Sequence, residues 1–198
     1  MDEPDFFINK NQGVAIVGLG LIGGSIAGAL KINGFKNIMG IDTQNKAIEG
    51  AINNDFIKLG DTEPENILPL AEIVIVCLYP KETAEFIKKH MNDFKYKAVI
   101  TDVSGIKLDL INEINSCLRA DLEFVGGHPM AGSHFRGFDH ANPHLFMDAN
   151  YIITPTDTSS LEAISKIKSL AKILGCKSIS DINPGKHDEA MALASHMP

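Results

Sequence analysis

The sequence predicts an α/β fold on a doubly wound, mostly parallel sheet, and two observations carry that expectation. Short apolar runs rich in Val and Ile alternate with stretches of helical periodicity along the 198 residues, which is the rhythm of β-α-β units. The first run, residues 14–17, passes directly into Gly18-Leu-Gly20-Leu-Ile-Gly23 and then a helix-forming stretch to residue 30. In this spacing the first glycine permits a tight bend out of the strand, and the second lets the backbone approach a pyrophosphate. The third lets helix and strand pack closely. Unpaired N–H groups and the dipole at the helix start favour an anionic phosphate there. Gly18, Gly20, Leu21, Ile22 and Gly23 are therefore candidate cofactor-binding residues.

Two other readings compete for this stretch. Residues 13–30 carry no charge, and Gly24 and Gly28 fit a membrane G-x-x-x-G pattern. Yet glycines interrupt its middle, and the segment is barely long enough to cross a bilayer. A plain glycine-rich turn in a core is the second alternative. Asp42 favours the cofactor reading. It lies nineteen residues after Gly23, at the end of the apolar run 38–41, where an acid accepts hydrogen bonds from an adenosine ribose. The same carboxylate repels a 2′-phosphate, so the expected cofactor is NAD, not NADP. The plainer role for Asp42 is to cap the next helix.

Later elements follow in order. A helix ends at Asn33-Gly34, a strand covers 37–41 and a helix 46–53; residues 55–70 are polar and turn-rich. The continuous apolar run 73–78 suits a parallel strand buried on both faces. A helix over 81–91, a strand over 98–102, a helix over 107–118 and a short strand over 123–125 come next. An irregular stretch, 126–149, precedes a strand at 151–154, an amphipathic helix at 159–174 and a strand at 177–179. A last helix starts near Pro184 and is still running at His196.

Composition narrows the function. Hydrophobic residues make up 44% and charged residues 22%, with a net charge of −7, as in a globular domain with a real core. No basic stripe exists to neutralise phosphates, so neither nucleic acid nor an anionic membrane surface is an expected partner. Cys77, Cys117 and Cys176 sit far apart in apolar or helical patterns and read as free thiols of a reducing compartment. The acidic N-terminus does not resemble a signal peptide, and a cytoplasmic location is expected.

Ligands of open α/β sheets bind beyond the carboxyl ends of the strands. Tyr79-Pro80, Asp102-Val-Ser104-Gly105 and Gly127-His128-Pro129-Met130 all follow strands, so they should share one rim. Tyr79, Pro80 and Asp102 join the cofactor candidates. His128 is the candidate for proton exchange near neutral pH; a structural histidine is the alternative. Ser104 and Ser133 are candidates to bind substrate or orient His128, and equally fit turns and N-caps. Lys107 reads as a helix surface residue. His128, His134, His140 and His144 lie close in sequence, but their spacing matches no compact metal set, and no metal is expected. No G-x-S-x-G nucleophile elbow is present.

Four blocks in order now form a familiar pattern. They are Gly18-Leu-Gly-Leu-Ile-Gly-Gly-Ser-Ile-Ala27, Asp102-Val-Ser-Gly-Ile-Lys107, Gly127-His-Pro-Met-Ala-Gly-Ser133, and His187-Asp188 with Ser195-His-Met-Pro198. Together they resemble the prephenate dehydrogenase family over nearly the whole chain. The resemblance implies a Rossmann-type domain over residues 1–180 and NAD-dependent oxidative decarboxylation of prephenate to 4-hydroxyphenylpyruvate in tyrosine biosynthesis. It implies that His128 accepts the hydrogen bond of the ring hydroxyl, aided by Ser104, and that Ser133, His134 and His196 line the substrate pocket. His128 must be neutral for this, so the rate should fall in acid, through the ordinary histidine range. Residues 181–198 would begin an all-helical domain, cut off here, that forms a homodimer and supplies an arginine to the substrate. The chain as given should bind NAD and turn over prephenate poorly.

Two departures and three competing functions accompany the resemblance. Gly105 stands where the family often has a serine, with Ser104 one place earlier. His134, Phe135 and Arg136 replace an acidic or polar residue, a lysine and a serine. Arogenate dehydrogenase, with the same chemistry on the amino analogue, is a close alternative. A β-hydroxyacid dehydrogenase of the 6-phosphogluconate type is a more distant one, and a non-catalytic NAD-binding module would keep the glycine turn without needing His128.

Overall fold

The computed structural model describes residues 8–132 and 134–195. Six strands form one parallel sheet: β1 (Gly13–Val17), β2 (Asn37–Ile41), β3 (Leu59–Asp61), β4 (Ile73–Val76), β5 (Val99–Asp102) and β6 (Glu123–Phe124). Their order is β3-β2-β1-β4-β5-β6, so the chain reverses its winding between β1 and β4. That reversal opens a crevice at the strands' carboxyl ends. The helices that follow β1, β2, β4 and β5 are α1 (Leu21–Ile32), α2 (Asn45–Asn53), α3 (Pro80–Lys89) and α4 (Leu108–Asn115).

Side-chain alternation explains why both faces are covered. Val14, Ile16, Ile73 and Ile75 point into one apolar core with Ile26 and Leu30 of α1. Ala15, Val17, Val74 and Val76 point into the other, with Ala84 and Ile87 of α3 and Ile111 and Ile114 of α4. A strand buried on both faces has no polar face to show, hence the unbroken apolar run from 73.

Two features depart from the sequence expectation. The turn-rich stretch 55–70 contains β3, three residues long and paired in parallel with β2. The stretch expected to be irregular from 126 begins with a strand: Val125 still donates to Ile100 O, but β7 (Gly126–Pro129) belongs to a second sheet. There it pairs antiparallel with β8 (Asn150–Thr154), which pairs parallel with β9 (Ser178–Asp181). The break follows from Gly126 and Gly127, where a Cβ would stand 2.3 Å from Thr154 Oγ1 and 2.5 Å from the Tyr151 hydroxyl. The remaining helices are α5 (Leu161–Ile173) and α6 (Pro184–Ser195). Asn183 caps α6, its Oδ1 accepting from Gly185 N at 3.0 Å, with Pro184 in the first helical position.

Gly24 and Gly28 serve packing. A Cβ at Gly24 would lie 2.8 Å from Ala141 Cβ and 2.9 Å from Phe138, and one at Gly28 would lie 2.7 Å from Pro143 Cγ. The segment 138–143 thus straps across the small-residue face of α1, pinned by Asn142 N donating to the buried Ser25 hydroxyl at 2.8 Å. Among the described residues no helix is long and apolar enough to cross a membrane.

Candidate active site

The glycine turn uses its three glycines for three different reasons. Gly18 has φ +87°, and a Cβ there would meet Cys77 O at 2.7 Å. At Gly23 a Cβ would fall 1.9 Å from Gly18 O, so helix and turn touch backbone to backbone. At Gly20 a Cβ would meet nothing within 4 Å, because the position faces open space. The first turn of α1 has no acidic residue and no side-chain cap, leaving its orphan N–H groups for an anion.

Two compartments meet at this turn. One, of about 500 Å³, is lined by Leu21, Ile22, Tyr79 and Pro80 on one side and by Ser104, Gly105 and Arg136 on the other. The second, of about 560 Å³, surrounds Asp42, Thr43, Glu63 and Lys89. Gly20, Cys77 and Leu78 border both. A molecule with two lobes joined by a diphosphate fits this shape, with the diphosphate over Gly20. Asp42 Oδ2 accepts from Leu19 N at 2.7 Å and Oδ1 from Gln44 N at 2.9 Å. It therefore braces the glycine turn and starts the approach to α2, while each oxygen keeps a lone pair for a ribose hydroxyl. The Ser104 hydroxyl is buried without a partner in the first compartment, an orphan that a bound cofactor or substrate would satisfy.

Behind Ser104 and Gly105 lies a cluster of buried charge. Asp102, wholly buried at the end of β5, receives Lys107 Nζ on both oxygens at 2.7 and 2.6 Å. It also accepts from Ser104 N at 3.0 Å and Gly127 N at 3.2 Å. The Asp102 carboxylate thus turns inward, away from the cofactor role expected of it, and ties β5, β7 and the start of α4 together. Lys107, expected on a helix surface, is completely buried. Its ammonium is drawn in by the only geometry that compensates a buried carboxylate. Burial pushes Lys107 below its ordinary pKa, against the pull of Asp102.

His128 stands on β7 beside this pair. Its Nδ1 lies 2.9 Å from His187 Nε2, and His187 Nδ1 lies 2.8 Å from Asp188 Oδ1. Position 105 faces the other side of the ring, where a Cβ would lie 3.6 Å from His128 Nε2 and Cε1. Residue 105, not 104, is therefore the neighbour of the imidazole; Ser104 makes no bond to it, and His187 supplies the orientation assigned to Ser104. Burial first, then the neighbouring Lys107 ammonium, hold the His128 pKa down at about 4. The shift favours the neutral imidazole.

The other candidates are placed as follows. His134 is exposed and does not line the cleft, whereas its neighbours Phe135 and Arg136 do. Ser133 and His196 lie outside the described residues. His140 stacks on Phe135, with ring centroids 4.6 Å apart. Among the described residues no three His, Cys, Asp or Glu side chains gather as metal ligands. Sequence reasoning missed Lys107, His187 and Asp188 as members of the site. The one available signal for Lys107 was its place five residues beyond Asp102 across a strand-to-helix turn.

A parallel sheet reversing at β1, with a glycine turn and two compartments at its crevice, defines the nucleotide-binding class of α/β domain. Residues 26–180 match the family described as "Prephenate dehydrogenase, nucleotide-binding domain", and the chain belongs to it. The chain is 32% identical over 187 residues to a prephenate dehydrogenase of Bacillus subtilis, covering 93% of this chain and 50% of that protein. It is 27% identical to a cyclohexadienyl dehydrogenase of Zymomonas mobilis, covering 93% and 63%. The crystal structure of Aquifex aeolicus prephenate dehydrogenase in complex with hydroxyphenyl propionate and NAD+ superposes with a TM-score of 0.86 at 28% identity, over 93% of this chain and 64% of that one. Arogenate dehydrogenase of Synechocystis superposes equally well at 30% identity, again over 93% and 64%. The chain thus spans about half the length of the Bacillus relative.

Proposed function

We propose that the full-length protein is an NAD-dependent dehydrogenase that oxidatively decarboxylates prephenate, or its amino analogue arogenate. The observation that carries this reading is the neutral His128, set behind Gly105 at the edge of the nucleotide cleft. Family membership and the Aquifex complex with NAD+ support the cofactor. Asp42 supports NAD over NADP, because it would meet a 2′-phosphate with like charge.

Bound NAD supplies the hydride acceptor. The glycine turn and α1 hold the diphosphate, Asp42 the adenosine ribose, and Tyr79 and Pro80 border the compartment for the reacting half. His128 accepts the hydrogen bond of the substrate's ring hydroxyl, takes its proton as the carbinol carbon becomes carbonyl-like, and returns it to that oxygen when loss of carbon dioxide makes the ring a phenol. The substrate loses hydride from that carbon and its ring carboxylate as carbon dioxide, and aromatisation drives the change. A homodimer through a helical domain after residue 180 completes the proposal.

The test is NADH formation by the full-length protein with prephenate and then arogenate. Reduction with release of carbon dioxide is expected with at least one. Tight NAD binding with silence toward both would leave a binding module in place of an enzyme.

A further inference from the structure

His187 and Asp188 are adjacent in sequence, yet they project toward different partners from the first turn of α6. Asp188 reaches α4, its Oδ1 accepting from Lys107 N and its Oδ2 from Leu108 N, both at 2.9 Å. Helix α4 has no side-chain cap of its own, so an acid eighty residues downstream caps it. Burial opposes the charge of Asp188, but the Leu108 and Lys107 N–H groups and His187 together hold its carboxyl below the ordinary range. At neutral pH it is a carboxylate.

A carboxylate only accepts, and that settles the hydrogen positions along the chain of contacts. Asp188 Oδ1 takes the hydrogen of His187 Nδ1 at 2.8 Å. With its hydrogen on Nδ1, the imidazole of the wholly buried His187 carries its lone pair on Nε2. That lone pair, 2.9 Å from His128 Nδ1, accepts the His128 hydrogen. The remaining lone pair of His128 is on Nε2, the side of the ring that meets Gly105, which lines the cleft. The ring planes are 68° apart with centroids 5.2 Å apart, a separation that suits an end-on contact between the two nitrogens.

We infer that Asp188 and His187 are positioning residues: acting in series, they fix the tautomer of His128 so that Nε2 presents a lone pair to the substrate hydroxyl. This rests on the dehydrogenase reading and deepens it. The device spans the chain's organisation, for the reactive imidazole is on β7 while the groups that set its hydrogens are on α6. Asp102 and Lys107 face His128 from the β5–α4 side as a paired charge, and neither donates to nor accepts from the ring. A dual use also follows for Asp188, which caps α4 and orients His187 with the same carboxylate.

The variant Asp188→Ala removes the acceptor of the His187 Nδ1 hydrogen. His187 is then free to carry its hydrogen on Nε2 and donate it to His128 Nδ1, which moves the His128 hydrogen to Nε2. The first measurement is the imidazole 15N shifts of His128 in the unmutated chain and in Asp188→Ala. Hydrogen on Nδ1 in the former, and a share of it on Nε2 in the latter, is expected. In the full-length protein the same variant should lower kcat with prephenate or arogenate on the order of 10²-fold, with KM for NAD unchanged, as loss of a correctly poised base does. His187→Leu should lower kcat similarly, and the double variant should be no worse than the more impaired single one. Hydrogen on Nε2 of His128 in the unmutated protein overturns the inference, even if Asp188→Ala fails to fold. A wild-type kcat in Asp188→Ala also overturns it. Should the unmutated protein prove silent toward both substrates, the dehydrogenase reading falls while the 15N result still decides the tautomer.

Discussion

The two walls of the cleft are built from opposite materials. The nucleotide wall, Gly18 to Gly23 and the start of α1, has no charged side chain and works through backbone N–H groups and absent Cβ atoms. The proton-handling wall is a knot of buried ionisable groups, Asp102, Lys107, His128, His187 and Asp188, drawn from β5, α4, β7 and α6. The first wall is damaged by adding one methyl group, and the second by removing one charge. Shape selects a ligand, whereas charge held out of water sets a protonation state, because solvent screens it little.

The largest expected effect falls on the charged wall. His128→Asn in the full-length protein should cut turnover by about 10²- to 10⁴-fold, read as NADH formation, while calorimetry finds NAD affinity unchanged. A matching loss of NAD affinity would merge the two walls into one functional unit.

Next comes Lys107→Met. It leaves the Asp102 carboxylate buried and unpaired, at a cost of about 3–5 kcal/mol in urea unfolding. Adding Asp102→Asn should recover much of it, and no recovery would show that Lys107 packs without compensating charge.

Smaller changes are expected on the glycine wall, where two alanines sharpen the contrast. Gly23→Ala puts a Cβ 1.9 Å from Gly18 O, and should cost about 1–3 kcal/mol of stability as well as NAD affinity. Gly20→Ala meets nothing within 4 Å, so it should weaken NAD binding and leave unfolding unchanged.

A further effect is one of pH. His128 is held at about 4 against an ordinary 6.5, so between those values the unfolded chain binds more protons than the folded one. Stability therefore falls as pH drops through that window. His128→Phe should flatten this slope, and an NMR titration midpoint near 6.5 in the unmutated chain would remove its cause.

Legibility differed between the walls for the same reason. The G-x-G-x-x-G run and Asp42 are close in sequence, and each glycine answers a constraint within one turn of chain. The reversal of winding and the alternating strands could likewise be read from pattern, whereas His128, expected just past a strand, lies within β7. Splitting 123–129 between two sheets could not, because it depends on the close approach of Tyr151 and Thr154 to Gly127 and Gly126.

Sequence alone determined the α/β class and the glycine turn, since periodicity and glycine spacing are local properties of the chain, and it singled out His128 as the candidate for proton exchange. Tertiary structure decided that Lys107 is an internal cation, that Asp102 faces inward and that Gly105, not Ser104, borders the imidazole. It also brought Asp188 to the start of α4 and His187 to His128. Burial and the choice of partner for a charged group are set by packing between distant segments, and no local pattern encodes them.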